Sequence, residues 1–469
     1  MVSLQSIQTV TVTSPWSSAT SYPYNAEILN PNIPTFAFTY NTNNSAVGFV
    51  SGSNASSLYS QCNAIALTFP ALYSSAYNAA IIGGSAINCP PCLTINGEFG
   101  PWFQIVNLSN GSFISSSSLP CPFIPSNSYT YFLQGLVYDI MDGYMIMSFV
   151  QYNSTPVIFY FIPFNEVSTL LSGTFPSTYY TVMVSIPNGN LSVFPTSPYL
   201  WNGNMIQPAT DSSNNQYIWM IPISTLLQNL QPGNPTGSSF VAGTVYQVYA
   251  PGNLQAAYIP TSVMLYPTSS GPKSVIALAG YSSSDVIVTI WDPSTQSTIK
   301  QVQTHMSGIN YYSNTQFYPA SFYKNTLMIQ SEGNTLTLLD IVSGNADSVT
   351  SFVDAWLVPT SRGYVLGTRN PLNSSSVTFD IYKVSYENDF EFTNVSVSGS
   401  TITGTLYNAT TGQGVSNQTV YLVQLRSQYS DYIGDSVPVA STTTGSNGQF
   451  TIEYDMSPGA YYGLVYLAD

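Results

Sequence analysis

A short unit of β-structure recurs along the chain, and that recurrence limits the possible folds more than any other feature. Its clearest copy covers residues 261–302, where the runs 261–266, 274–280, 286–291 and 297–302 are split by the turn-forming segments PTSSGP, YSSSD and DPST. Alone, a four-stranded meander of about 40 residues leaves at least one apolar face uncovered, so further copies are needed to cover it. They are present. Runs at 36–40 and 47–51, 79–83 and 102–107, 136–139, 144–151 and 157–162, and 205–210 and 216–221 precede the clear copy; 326–341 and 355–384 follow it.

Aligned on their third strands, the units begin near Val47, Trp102, Val157, Gln216, Val286, Thr335 and Val377. Successive meanders with no helical periodicity between them predict an all-β chain, a β-propeller of about seven four-stranded blades over residues 1–392. An isolated strand at 6–13 (SIQTVTVT) is placed to complete the last blade and remove its open edge. Neither a repeated Trp-Asp dipeptide nor an S-x-D-x-G-x-x-W box marks the blades.

Near Asn394 the pattern changes. Ile402-x-Gly404, Thr411-Gly412-x-Gly414-Val415, Val420-x-Leu422, Thr444-x-x-x-Gly448-x-Phe450-x-Ile452 and Pro458-Gly459-x-Tyr461 follow in order. This series resembles the carboxypeptidase-regulatory-like, prealbumin-type β-sandwich family. The resemblance covers residues 393–469 and implies a small Ig-like structural or adhesive module with no catalytic residues of its own. The expected protease-accessible joint lies at 387–393.

Charge is scarce and unevenly placed. Only 6% of the 469 residues are charged, against roughly a quarter in ordinary soluble domains. No Lys or Arg precedes Lys273. The formal charge of −14 comes from carboxylates, which neutralise in strong acid and leave little self-repulsion there. Acidic surroundings are therefore expected, and nucleic acid is excluded as a partner because no basic patch exists to displace its counterions. Enrichment in Tyr, Ser and Asn with few Lys loosely resembles exported and virion proteins of thermoacidophilic archaea, including the attachment fibres of their spindle-shaped viruses.

Cys62, Cys89, Cys92 and Cys121 all fall in the first quarter of the chain. Cys89-Pro90-Pro91-Cys92 has CxxC spacing, yet it sits among turn residues rather than at a helix start, and no second close pair supplies zinc ligands. Two structural disulfides are expected, with three pairings open. Ten Asn-x-Ser/Thr sequons stand at Asn43, Asn54, Asn107, Asn110, Asn153, Asn190, Asn373, Asn394, Asn408 and Asn417, about the number that composition alone produces; their use as glycosylation sites depends on export. No secretion signal is visible at the start and no run of 18 apolar residues marks a membrane span, which fits a trimmed ectodomain or a virion protein.

Catalysis has few candidates. His305, the only histidine, falls in QTHMSGIN between two units; Asp139-x-x-Asp142 is the nearest carboxylate pair of the first half but Asp142-Gly143 is a hairpin signal. A sialidase-like site would want clustered arginines, and only Arg362 and Arg369 share a unit. No cofactor or metal is implied. The expected function is extracellular, non-enzymatic adhesion or host attachment through aromatic propeller loops such as Tyr179-Tyr180, Tyr311-Tyr312 and Tyr461-Tyr462. The partner would be a host-surface glycan or protein, without membrane insertion, and self-association is allowed. A surface-layer component and a secreted acid hydrolase are the alternatives.

The cysteine reading is directly testable: non-reducing mass mapping of the purified chain is expected to find no free thiol and no metal, and two reactive thiols would refute it.

Overall fold

The computed structural model describes the chain apart from residues 1, 20–21, 24, 42–44, 58–63, 75–78, 88–99, 110–130, 140–142, 152–155, 194–198, 214, 234, 236–237, 250–260, 282–284, 306–316, 320–325, 331–334, 351–354, 361–362, 387, 426–435 and 468–469. It is nearly all β. Seven small open sheets follow one another along the chain, and two more form the C-terminal module. The runs aligned as third strands are third in their sheets, from Ser45–Ser51 in the first to Ser376–Tyr386 in the last.

No sheet closes on itself. Each packs instead against the next, because alternating side chains give the inner strands buried residues on both faces of the sheet. Ile105 of the second sheet joins Met145 and Tyr160 of the third; Phe159 and Val184 of the third meet Trp219 and Ile221 of the fourth. Ile206 and Ile218 of the fourth lie with Ile276 and Trp291 of the fifth, and Val288 and Ile290 of the fifth with Leu327 and Ile329 of the sixth. The seventh sheet returns to the first through Phe379, Leu366, Phe36 and Phe38.

The first strand of the chain is what completes the seventh sheet. Val2–Thr13 pairs antiparallel with Ser376–Tyr386, from Val2 opposite Tyr386 to Thr13 opposite Ser376, with one bulge at Ile7. The next residues turn inward: Trp16 is fully buried, its ring 5.0 Å from Phe38 and 5.9 Å from Phe379, and its indole N–H donates to the Ser56 carbonyl at 3.2 Å. Beneath the strand pair lies a buried carboxylate. Arg369 holds Asp380 with two bonds, Nε to Oδ2 at 2.7 Å and Nη2 to Oδ1 at 2.9 Å, while the Thr9 hydroxyl donates to Oδ1 at 2.6 Å.

Two short helices interrupt the expected helix-free pattern. α1 (Phe164–Leu171) and α2 (Ile223–Gln228) follow the third strands of the third and fourth sheets. Each begins after a proline, and its first amide donates to a glycine carbonyl of the preceding hairpin, Phe164 to Gly143 at 3.0 Å and Ile223 to Gly203 at 2.9 Å. Both glycines are left-handed, which L side chains resist. The two segments share Ile-Pro followed by Ser-Thr-Leu-Leu (Ile162-Pro163 and 168–171; Ile221-Pro222 and 224–227), a repeat too short to show as helical periodicity in an ordinary window.

The C-terminal module packs Phe390–Ser398, Thr401–Asn408 and Gln449–Glu453 against Ser436–Thr443, Thr419–Leu425 and Tyr461–Val465. Ile402, Leu406, Val420, Leu422, Phe450 and Ile452 fill the space between. Sheet membership changes between Tyr386 and Phe390, so residues 390–393 of the expected joint, and the expected boundary at 392/393, lie inside a paired strand. Nor does the module stand apart: Val423 and Val465 bury against Leu265 of the fifth sheet, and the Tyr421 ring lies over Gly271. The apolar run Val420-Tyr421-Leu422-Val423 reflects this, since both faces of that strand are covered.

Replacing Arg369 by Met is expected to lower stability by roughly 3 kcal/mol at neutral pH, because Asp380 stays buried without its cation. In that variant only the Thr9 and Tyr382 bonds oppose the effect of burial, so the carboxyl's pKa rises relative to the native chain and the deficit should shrink on acidification as Asp380 takes up a proton. Denaturant unfolding of both proteins at pH 7 and pH 4 measures this; an equal deficit at both would show that Arg369 acts by packing alone.

Candidate functional site

Among the described residues, those singled out for chemistry sit in separate sheets. His305 is the last residue of the strand Ser297–His305, opposite Asp285, rather than part of a free loop. Asp139 ends the strand Tyr131–Asp139 and pairs with Tyr144 across a hairpin that turns at left-handed Gly143. Asp142 and Arg362 lie outside the described residues, and Arg369 is committed to Asp380. Cys62, Cys89, Cys92 and Cys121 also fall outside them. Among the described residues no three His, Cys, Asp or Glu side chains converge as metal ligands, and no helix is long and apolar enough to cross a membrane.

The tyrosine pairs are placed by packing. Tyr179 stacks on buried Tyr160 with ring centroids 5.7 Å apart and meets Phe175 at 5.2 Å, and Tyr180 opens the strand Tyr180–Ser185. Tyr461 and Tyr462 belong to the strand Tyr461–Val465; the Tyr462 ring lies 5.8 Å from Tyr454 and its hydroxyl accepts the Ser457 amide at 3.0 Å. Tyr461 alone of these four is exposed. Tyr311 and Tyr312 lie outside the described residues.

The sequons separate by geometry. Asn43, Asn110 and Asn153 lie outside the described residues. Asn408 is buried, with its carbonyl oxygen accepting the amides of Thr410 and Thr411 at 2.9 Å each, so its side chain caps a turn and is closed to a glycan. Asn107 is half-buried and accepts the Ser109 amide at 2.8 Å. Asn54, Asn190, Asn373, Asn394 and Asn417 are exposed.

Sequence reasoning missed the carboxylates that close the third strands. Asp292 ends the third strand of the fifth sheet. Its Oδ1 accepts the Ser294 amide at 2.9 Å and hydroxyl at 2.7 Å, and its Oδ2 takes the Thr295 hydroxyl at 2.8 Å and the Lys273 ammonium. Asp340 ends the third strand of the sixth sheet in the same way, accepting the amides of Val342 at 2.8 Å and Ser343 at 3.2 Å. An Asp closing an apolar run before small polar residues was the available signal.

Burial pushes the Asp292 carboxyl up, but hydrogen bonds from Lys273, Ser294 and Thr295 outweigh it and bring the pKa down to about 2. Asp380 is also lowered: burial raises it, and bonds from Arg369, Thr9 and Tyr382 more than compensate. These carboxylates bind structure rather than substrate.

One small cleft of about 50 Å³ lies between the strand Tyr180–Ser185 and residues 229–240, lined by Thr181, Met183, Asn229, Gln231, Ser238 and Phe240. It is far below the few hundred Å³ of a typical small-molecule pocket.

No family model and no curated protein matches the chain. Among solved structures, that of the Dos1 propeller aligns over 81% of this chain and 95% of its own, at 11% identity and a TM-score of 0.43.

Because Asp292 is more acidic folded than unfolded, its contribution is complete above about pH 4 and is lost as pH falls towards 2. The stability gap between the native chain and Asp292→Asn should accordingly be widest near neutrality and close towards pH 2. Melting temperatures across that range provide the check, and a constant gap would refute it.

Proposed function

We propose that the chain is an extracellular, non-enzymatic attachment protein that meets a host-surface glycan or protein in acidic surroundings. In this reading the seven sheets are blades of a propeller, and the last module is a carboxypeptidase-regulatory-like sandwich serving as spacer or anchor. The observation that carries it is the cycle of sheet-to-sheet packing, in which the seventh sheet returns to the first through Phe379, Phe36 and Phe38. Such an array fixes its cores and leaves variation, and hence recognition, to the loops between strands.

Two further features support the setting. Low charge of both signs keeps self-repulsion small when carboxylates neutralise. Asp292, held at about 2, keeps its ion pair to Lys273 well into acid. A surface-layer component is the second reading, favoured by the uncovered Val395, Val397 and Val437 of the C-terminal module, which would suit contacts between neighbouring copies.

The full chain should bind purified host envelopes or an immobilised glycan panel at about pH 3, saturably and without turnover of the ligand. Ordered self-assembly into sheets with no envelope binding would favour the surface layer; hydrolysis of a bound glycan would replace both readings with an enzyme.

A further inference from the structure

The strand Phe390–Ser398 runs along the margin of the C-terminal module and, among the described residues, pairs on one side only, with Thr401–Asn408. Its pairing skips between Thr393 and Ser396, leaving Asn394 and Val395 in a bulge. Asn394 takes a left-handed φ of 52° there, is exposed, and its side chain makes no hydrogen bond among the described residues.

The bulge resets which side chains face inward. Phe392 lies opposite core Leu406, and beyond the bulge Val397 lies opposite core Ile402. Val397 therefore points to the core side of the sheet, yet it is 55% exposed, and Val395 beside it is 48% exposed. From Thr393 to Ser398 the strand carries no charge and no proline, the usual devices that keep an open edge from pairing with another chain. The bulge is the one such device present, and it leaves both valines uncovered.

Asn394-Val395-Ser396 is itself a sequon. We infer that Asn394 carries an N-linked glycan, and that this glycan covers the open edge and its two valines. The inference rests on the extracellular reading above, since only an exported chain meets the glycosylating enzyme. The other described sequons lack the combination: Asn408 is buried in a turn, Asn107 is half-buried, and Asn54, Asn190, Asn373 and Asn417 are not in a bulge beside uncovered apolar side chains. The modification joins the Asn394 side-chain nitrogen to the sugar's anomeric carbon, with a lipid-linked oligosaccharide as donor and its pyrophosphate as leaving group. The nitrogen loses the balancing proton.

The test uses the full chain secreted from a cell with N-glycosylation, beside the variants Ser396→Ala, which removes the sequon while keeping Asn394, and Asn394→Gly, which tolerates the same left-handed backbone and adds no charge to the edge. Glycopeptide mass spectrometry should find Asn394 modified in most molecules and Asn408 unmodified. By light scattering the native chain should stay monodisperse at concentrations where both variants self-associate. An unmodified Asn394 beside modified Asn190 or Asn373 overturns the inference and leaves the extracellular reading standing; absence of glycan at every sequon counts against both. Variants as monodisperse as the native chain overturn the covering role. A native chain that binds envelopes in acid yet carries no glycan at Asn394 likewise separates the two.

Discussion

The pairing of Val2–Thr13 with Ser376–Tyr386 is the contact on which the rest of the molecule depends. Each of the seven sheets is too small to stand alone, and each is stable only between two neighbours. In such a cycle one junction must join the two ends of the sequence, and no local hairpin can make it. Here the outermost strand of the seventh sheet is supplied from the N-terminus, so nearly 370 residues of intervening chain are closed by one antiparallel ladder. The entropy of closing so long a loop grows only slowly with its length, and it is offset by cooperative gain: Trp16, Phe38 and Phe379 can pack only once that strand is in place.

The seam also shows how a low-charge protein uses the few charges it keeps. Asp380 is fully buried, but its oxygens are engaged by a hydroxyl from the first strand and a guanidinium from the bend that follows Tyr364–Thr368. Such an arrangement contributes less net energy than well-packed apolar groups would, but it tolerates one register only, because a slip of one residue would turn Thr9 to the opposite face. Asp292 and Asp340 have a local task at the ends of third strands, fixing the turn that leads outward. Held this way, the Asp292 carboxyl stays ionised at pH values where an ordinary one is protonated.

In the C-terminal module the constraint is contact between backbones. A Cβ on Gly448 would lie 2.2 Å from the Leu406 carbonyl, and one on Gly414 would lie 1.9 Å from that of Asn447. The Thr444 hydroxyl bridges the two turns, donating to the Val415 carbonyl at 2.7 Å and accepting the Gln418 amide at 2.9 Å. Gly404 lets the Phe450 ring lie flat over the strand. The pattern read from residues 402–461 is thus a set of close approaches. The edge strand beside it breaks register at Asn394, where it is paired on one side only.

The sequence by itself determined the strands, because alternation of apolar and polar residues between turn formers such as Asn202-Gly203 is decided within a few residues. The third strands and the isolated first strand were legible on that basis. It did not reveal α1 and α2, whose eight and six residues are fewer than the window over which helical periodicity shows, nor the seating of Tyr421, Val423 and Val465 on the fifth sheet. The candidate site was less legible still: His305, Asp139 and the tyrosine pairs were distinguished by residue type, and type does not say what lies nearby in space. Only the tertiary structure could bring Thr9 to Asp380 or leave Val397 uncovered, since partners hundreds of residues apart meet through the packing of whole sheets, which no local pattern records.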